Sequence, residues 1–120
     1  MSPDGGEPRL AIMVLGDADG AENVEAVVDT GFDGELSLSS RMVRRLGLPY
    51  AGSARATLAD GSRTWFDYHE GRVLWHGEER AVAVLASDGD ALIGMALLDG
   101  GRLTVDAVPG GDVRIEKLRG

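Results

Sequence analysis

The residues best suited to do chemistry in this chain are Asp29, Thr30 and Gly31, which follow an apolar segment at 24–28. The β-branched valines of that segment predict a strand, and the glycine predicts a tight turn at its end. A carboxylate at the end of an apolar strand is partly desolvated, so it must be hydrogen-bonded or shared with another group. This cost indicates that Asp29 has a chemical role.

Apolar residues followed by Asp-Thr-Gly resemble the active-site loop of the retropepsin-like aspartic proteases, in the prokaryotic single-domain form with Asp-Thr-Gly-Phe. A second apolar segment that ends in glycine, Ala91–Gly94, and a short helix at 95–99 follow in the order this family shows. A strand and a helix between 36 and 48 also fit. The resemblance covers about residues 11–106 and implies an all-β fold, a closed acid-protease barrel with one or two short helices and one lobe per chain.

The resemblance implies hydrolysis of peptide bonds by two carboxylates that share one proton. One takes a proton from the attacking water and the other polarises the substrate carbonyl; as is established for aspartic proteases, such close acids cannot both ionise and titrate as a pair. The chain contains one Asp-Thr-Gly, and Ala91 and Ile93 stand where a second acid beside Gly94 would be needed. A second subunit is therefore expected to supply it, because a symmetric homodimer brings Asp29 against its own copy.

The same resemblance assigns expected roles to the rest of the loop. Thr30 would hydrogen-bond across the dimer axis, and Gly31 would allow close backbone approach and contact the substrate main chain. Phe32 stands where most relatives have Ala or Ser, so its ring would narrow the substrate cleft or alter the hydration of the acid pair. Asp33 would hold the substrate backbone.

An Asp-Gly pair, Asp60-Gly61, lies between two strand-like segments, 54–58 and 64–68, and predicts a hairpin. Its position in the chain corresponds to the flap that closes over substrate in the family, although the long glycine-rich tip of the retroviral enzymes is missing. Asp60 and Gly61 are then expected at the flap tip. Trp65 is expected to line the substrate pocket; because neighbours on a strand face opposite ways, either it or Phe66 would pack in the core.

The length of 120 residues predicts one domain over 1–120, with a loose lead-in at 1–8. The net charge of −8 argues against a nucleic-acid partner and against an anionic membrane surface. The absence of Cys excludes disulfides and zinc–thiolate sites. Neither a signal peptide nor an apolar run of about 20 residues is seen, so a cytoplasmic location is expected.

The remaining chain is predicted to form strands and one further helix. The further strands are expected at 9–15, 72–75, 80–86, 103–105 and 113–118. Met42, Val43 and Leu46 recur at helical spacing after Ser39 or Ser40, either of which is a good N-cap.

No metal or other cofactor is expected. Asp17 and Asp19 suggest a calcium loop, but Val28 stands where an EF-hand requires a bidentate Glu. The two histidines, His69 and His76, lack a third ligand and are predicted to be turn and surface residues.

Three functional hypotheses compete. The first is a dimeric aspartic endopeptidase that acts on a peptide or protein substrate. The second is the same fold as a non-catalytic peptide-binding or assembly module, because a fold does not fix a function. The third, phosphoryl transfer from an aspartate, requires an α/β sheet and a phosphate-binding loop, neither of which the sequence indicates.

Overall fold

The structure is a computed structural model that describes residues 8–17, 20–57, 60–105 and 112–118. Within these ranges the chain forms nine strands and two short helices. The strands are β1 (Arg9–Leu15), β2 (Ala21–Val28), β3 (Leu36–Ser39), β4 (Tyr50–Thr57), β5 (Arg63–Trp75), β6 (Glu78–Ser87), β7 (Leu92–Ile93), β8 (Gly101–Val105) and β9 (Val113–Lys117), and the helices are α1 (Ser40–Leu46) and α2 (Met95–Leu98). The prediction of a mostly β fold with few short helices is confirmed.

Seven strands form one sheet in the order β1-β2-β7-β3-β6-β5-β4. Strand β1 pairs antiparallel with β2 along its whole length, and its end also pairs with β5 at Met13, Val14 and Leu15. Hydrogen bonding therefore passes from β1 through the sheet to β5 and returns to β1, and β4 is attached to the outer side of β5. The finer expectation, a closed acid-protease barrel, stays a prediction.

Alternating apolar residues place one face of β1, β2 and β3 in a common core. These residues are Ile12, Val14, Val24, Ala26, Val28, Leu36 and Leu38. Strand β7 and helix α2 add Ile93 and Leu97, which are fully buried. Full burial of such a side chain contributes about 1.5–3 kcal/mol. The elements that surround residues 29–35 are therefore anchored in the core by buried side chains.

Helix α1 begins directly after one of the two predicted N-caps and ends before Gly47. The Ser39 hydroxyl accepts a hydrogen bond from the Met42 backbone N–H at 3.1 Å, so Ser39 is the N-cap. Gly47 follows the helix in the left-handed conformation, with φ of 66°, and its N–H donates to the Arg44 carbonyl. Val43 and Leu46 are buried and fix the helix on the sheet.

Strand β5 differs from the prediction, because segments expected as two strands form one strand of 13 residues. Its first half pairs with β4 and its second half with β6, and Tyr68 and His69 pair with both. The prediction for His69 was therefore wrong: it lies within the strand, half-buried, with its ring edge-on to Tyr50 at 5.7 Å. His76 is an exposed turn residue, as predicted.

Strands β8 and β9 form a separate antiparallel pair, with Leu103 opposite Ile115 and Val105 opposite Val113. The Pro-Gly-Gly sequence at 109–111 predicts a turn between them, but it lies outside the described residues, as do residues 1–7 of the expected lead-in. Leu103, Val113 and Ile115 are half-buried against the main core. Leu118 was predicted in the last strand, but it follows the end of β9 and is exposed.

Among the described residues, no helix combines the length and the apolar character that a membrane crossing requires.

Candidate active site

Asp29 lies directly after β2, at the point where the chain leaves the buried sheet. Its backbone N–H donates to the Ile93 carbonyl at 2.9 Å, which continues the pairing of β2 with β7 by one residue. Its side-chain Oδ1 accepts a hydrogen bond from the Gly31 N–H at 2.9 Å. The residue is half-buried, and its second oxygen, Oδ2, receives no hydrogen bond from the described part of the chain. The carboxylate is thus held at one oxygen and available at the other.

Strand β7 holds the loop at 29–35 in place because it lies between the two strands that the loop connects. It pairs parallel with β2 and antiparallel with β3, so the loop must pass around its end. The Gly94 N–H then donates to the Glu35 carbonyl at 3.0 Å. The sequence analysis singled out the Asp29 loop and the later apolar segment Ala91–Gly94, and the structure brings them into direct hydrogen-bonded contact.

Helix α2 closes the other side of the loop. The first helical N–H groups donate to loop carbonyls: Met95 to Phe32 at 2.8 Å and Ala96 to Gly34 at 3.1 Å. These are groups that a helix leaves without an intrahelical partner, so the loop satisfies them and is itself fixed. Gly94 is needed where the two meet, since a Cβ there would lie 2.2 Å from the Gly34 carbonyl oxygen.

Phe32 packs against its own loop. A Cβ on Gly34 would lie 2.6 Å from its ring, and one on Gly94 would lie 2.5 Å from it, so the ring lies across both glycines. The side chain is half-buried. In this position the ring stabilises the loop that carries Asp29, and the expected effect on the substrate cleft stays a prediction.

Thr30, Gly31 and Asp33 are exposed beside Asp29. The Asp33 carboxylate forms no ion pair with the residues that the structure describes. These groups are accessible to a partner or a substrate, while their expected roles toward either stay predictions.

Glu35 and Arg80 support the loop from behind, and the sequence analysis missed both. Glu35 Oε1 accepts the Ala83 N–H at 2.8 Å, and its Oε2 accepts from Arg80 Nη2 at 3.2 Å. The same guanidinium reaches the Ala96 carbonyl on α2 at 3.4 Å. The network therefore joins the end of the loop to β6 and α2.

Asp60 and Gly61 lie in the turn of the β4–β5 hairpin, as predicted, and Gly61 has a φ of +87° that favours glycine. Asp60 Oδ1 accepts from the Ser62 hydroxyl at 2.6 Å and from the Ser62 N–H at 2.9 Å. These two hydrogen bonds, the hydroxyl one first, lower the pKa of the exposed Asp60 carboxyl. Among the described residues, no hydrogen bond or ion pair joins this turn to the Asp29 loop within one chain.

Trp65 and Phe66 face opposite ways, as strand geometry requires. Trp65 is 64% exposed, whereas Phe66 is half-buried. The Arg55 guanidinium lies 5.4 Å from the centre of the Trp65 ring, in cation–π contact. Trp65 is thus the one of the two that is free to contact a substrate.

A groove of about 960 Å³ opens elsewhere, between the loop after α1 and strands β5 and β6. Leu48, Tyr68 and His69 line it, together with Glu35 but not Asp29. The cleft expected at Asp29 would need a second copy, so this groove neither supports nor contradicts that expectation. Among the described residues, no group of three or more His, Asp or Glu side chains is arranged to hold a metal ion.

Comparison of the chain with protein-family models, with curated proteins and with solved structures finds no match in any of the three. The candidate site is therefore defined by its own residues: a carboxylate at the end of a buried strand, fixed by a glycine N–H and enclosed by β7 and α2.

Proposed function

We propose that this protein is an aspartic-type endopeptidase in which Asp29 from each of two copies forms the catalytic pair. The observation that carries the proposal is the hydrogen bonding of the two Asp29 carboxylate oxygens. One oxygen is fixed by the Gly31 N–H, and the other receives no hydrogen bond from the described residues. A lone acid that only stabilised its turn would not need a buried strand, a second apolar strand and a helix arranged around it.

The reaction needs one acid that is ionised and one that is protonated. In the proposed pair, the ionised Asp29 takes a proton from a water molecule, and its protonated copy donates a hydrogen bond to the substrate carbonyl, which the water attacks. The Gly31 N–H keeps each Oδ1 in place, so the two Oδ2 atoms are free to share the proton and hold the water. Because one chain supplies one such acid, the site is incomplete without the second copy.

The substrate would be an extended peptide between the Asp29 loops and the β4–β5 hairpins. Three features support this reading: Asp33 is exposed and free of ion pairs with the described residues, Trp65 is exposed, and Asp60 and Gly61 are exposed in the hairpin turn. Strand β4 pairs with β5 alone in the sheet order, so this hairpin is attached to the sheet on one side. A hairpin attached in this way is suited to move when a peptide enters.

The first test is cleavage of a denatured protein substrate from acid to neutral pH, with and without pepstatin. Asp29→Asn keeps the shape and is expected to lower cleavage at least 10²–10⁴-fold, roughly the contribution of general acid–base catalysis. Asp88→Asn is the matched control, because Asp88 is an exposed aspartate in the β6–β7 turn. Cleavage retained by the Asp29 variant would refute the catalytic assignment. Peptide binding without cleavage by the parent chain would instead indicate a binding module.

The second test concerns the shared site. If chains exchange at random in a dimer, a threefold excess of the Asp29→Asn chain should reduce the activity of a fixed amount of parent chain to about one quarter. Excess Asp88→Asn chain should not reduce it. A protein that was active as a monomer would keep its full activity in both mixtures.

A further inference from the structure

The outer half of the β4–β5 hairpin carries an exposed aromatic ring between two arginines. Trp65 lies directly across from Arg55 in the strand register, and Arg63 lies two residues before Trp65 on the same face of β5. Arg63 is therefore the diagonal neighbour of Arg55, at about 7–8 Å between backbones. We call these three exposed residues, Arg55, Arg63 and Trp65, the Trp65 platform.

The platform continues the inner face of the sheet. Residues at alternate positions of a strand share a face. On β5, Gly71 and Val73 are buried in the core, while Trp65 and Asp67, on the same alternation, are exposed. A face that is covered by core packing at one end is thus open at the other. A bound chain segment would cover the exposed part of this face.

The two arginines of the Trp65 platform can bind an anion. Neither Arg55 nor Arg63 forms an ion pair with the described residues, whereas Arg45, Arg72 and Arg80 all do. An acid on the same face, Asp67, accepts a hydrogen bond from the Ser53 hydroxyl at 2.9 Å. The Arg55 guanidinium is held over the indole ring at 5.4 Å, so its donors are oriented before any ligand arrives.

We propose that the Trp65 platform binds an acidic side chain of the peptide substrate and so gives the enzyme a preference for substrates with Glu or Asp near the scissile bond. This inference rests on the proposed peptidase function, because it places the β4–β5 hairpin over the bound peptide. The carboxylate would accept charge-assisted hydrogen bonds from Arg55 and Arg63. The methylene groups of the bound side chain would pack on the indole ring.

A single carboxylate suits this surface better than a nucleic acid does. The whole chain carries a net charge of −8, which repels a polyanion at long range. Asp60 and Asp67 lie on the same hairpin as the arginines. Two arginines beside one ring can hold one carboxylate at short range, but they offer no extended track for a phosphate backbone.

The test uses two labelled peptides of identical sequence except that one has Glu where the other has Gln. Binding is measured by fluorescence anisotropy at neutral pH with the Asp29→Asn chain, which should not consume the peptides. The Glu peptide is expected to bind about 2–5-fold more tightly, the range expected for one partly exposed ion pair. Arg55→Gln or Arg63→Gln should bring this ratio close to one.

Arg41→Gln is the matched control. Arg41 is exposed on α1 and forms no ion pair with the described residues, so this variant makes the same change in net charge away from the hairpin. The Glu-to-Gln ratio should stay unchanged in it, and thermal melts should show that all variants are folded. Equal affinity for the two peptides in the parent background, or an equal effect of Arg41→Gln and Arg55→Gln, would overturn the proposal.

Three further outcomes separate this inference from nucleic-acid binding and from the proposed peptidase function. A labelled single-stranded oligonucleotide that bound more tightly than the Glu peptide and depended on Arg55 would overturn the proposal in favour of nucleic acid. Asp29-dependent cleavage of both peptides at equal rates would refute the platform and leave the peptidase function standing. An Arg55-dependent preference without Asp29-dependent cleavage of any peptide would refute the peptidase and leave a peptide-binding face.

Discussion

Gly94→Ala is the substitution for which the structure predicts the largest effect on the candidate site. Gly94 joins β7 to α2, and its N–H donates to the Glu35 carbonyl. A Cβ at this position would lie 2.2 Å from the Gly34 carbonyl oxygen and 2.8 Å from that of Phe32. It would also lie 2.5 Å from the Phe32 ring. Non-bonded atoms do not approach so closely, so the loop that carries Asp29 must move away.

The size of the effect follows from which atoms are in the way. The two carbonyl oxygens belong to the backbone, and they accept the N–H groups of Met95 and Ala96, so they cannot shift without breaking those hydrogen bonds. Overpacking typically costs about 1–3 kcal/mol, and a lost buried hydrogen bond adds about 1 kcal/mol. For a chain of this size, such a loss is expected to lower Tm by about 5–15 °C.

The assay pairs thermal melts with cleavage measurements on three variants. Gly89→Ala is the control, because a Cβ at Gly89 meets nothing within 4 Å and its backbone does not adopt a positive φ. It should melt with the parent. Adding Phe32→Ala to Gly94→Ala removes the contact with the ring but leaves the two carbonyl contacts, so any recovery should be partial.

Activity provides an independent reading. Cleavage by Gly94→Ala should fall even at temperatures where the variant is fully folded, because the displaced loop would no longer hold Asp29 in the position that the proposed pair requires. A Gly94→Ala protein with the stability and activity of the parent would show that the loop does not lie against β7 and α2 as described. Full recovery in the double variant would show that the ring alone, and not the backbone, limits the space.

Three other predictions concern elements around the site. Ser39→Ala removes the N-cap of α1 and should lower the free energy of unfolding by about 0.5–2 kcal/mol in denaturant titrations, with the m-value unchanged. The Asp60 carboxyl should titrate below its ordinary pKa by NMR, and Ser62→Ala should move its pKa upward toward the ordinary value. Because its pKa is lowered in the folded protein, the stability that it contributes is present above the unfolded pKa and is lost as pH falls through the folded one. Amides at 60–63 should exchange rapidly and be slowed by a bound peptide inhibitor; equal exchange rates with and without it would argue against a lid.

Much of the fold near Asp29 could be predicted because its signals are local. The capping serine and the terminal glycine of α1 act within one turn of helix, and the Asp60-Gly61 turn acts within one hairpin. Apolar alternation likewise fixes which face of a strand is buried. For Asp29 itself, the signal was the conflict between an acid and the apolar strand before it.

Features that depend on strand partners could not be predicted in the same way. Strand β5 pairs with β4 up to His69 and with β6 from Tyr68 onward. The residue types at 69–71 do not indicate that the strand continues through this point. His69 was therefore assigned to a turn. The position of Leu118 beyond β9 is a similar case, because the end of a strand is decided by the length of its partner.

Glu35 shows most clearly why the residues that hold the Asp29 loop in place could not be predicted from the sequence. In the sequence it is an acid before a short apolar strand, a common arrangement without a distinctive spacing. Its partners, Ala83 and Arg80, are 48 and 45 residues away and meet it only because β3 pairs parallel with β6. Arg80 in turn reaches α2, which donates to the loop carbonyls on the far side of Asp29. The loop is thus fixed from both ends, by β7 and α2 at one and by Glu35 at the other. In the proposed pair, a carboxylate that shares a proton with its own copy would need such a support, since a small displacement of either copy would separate the two acids.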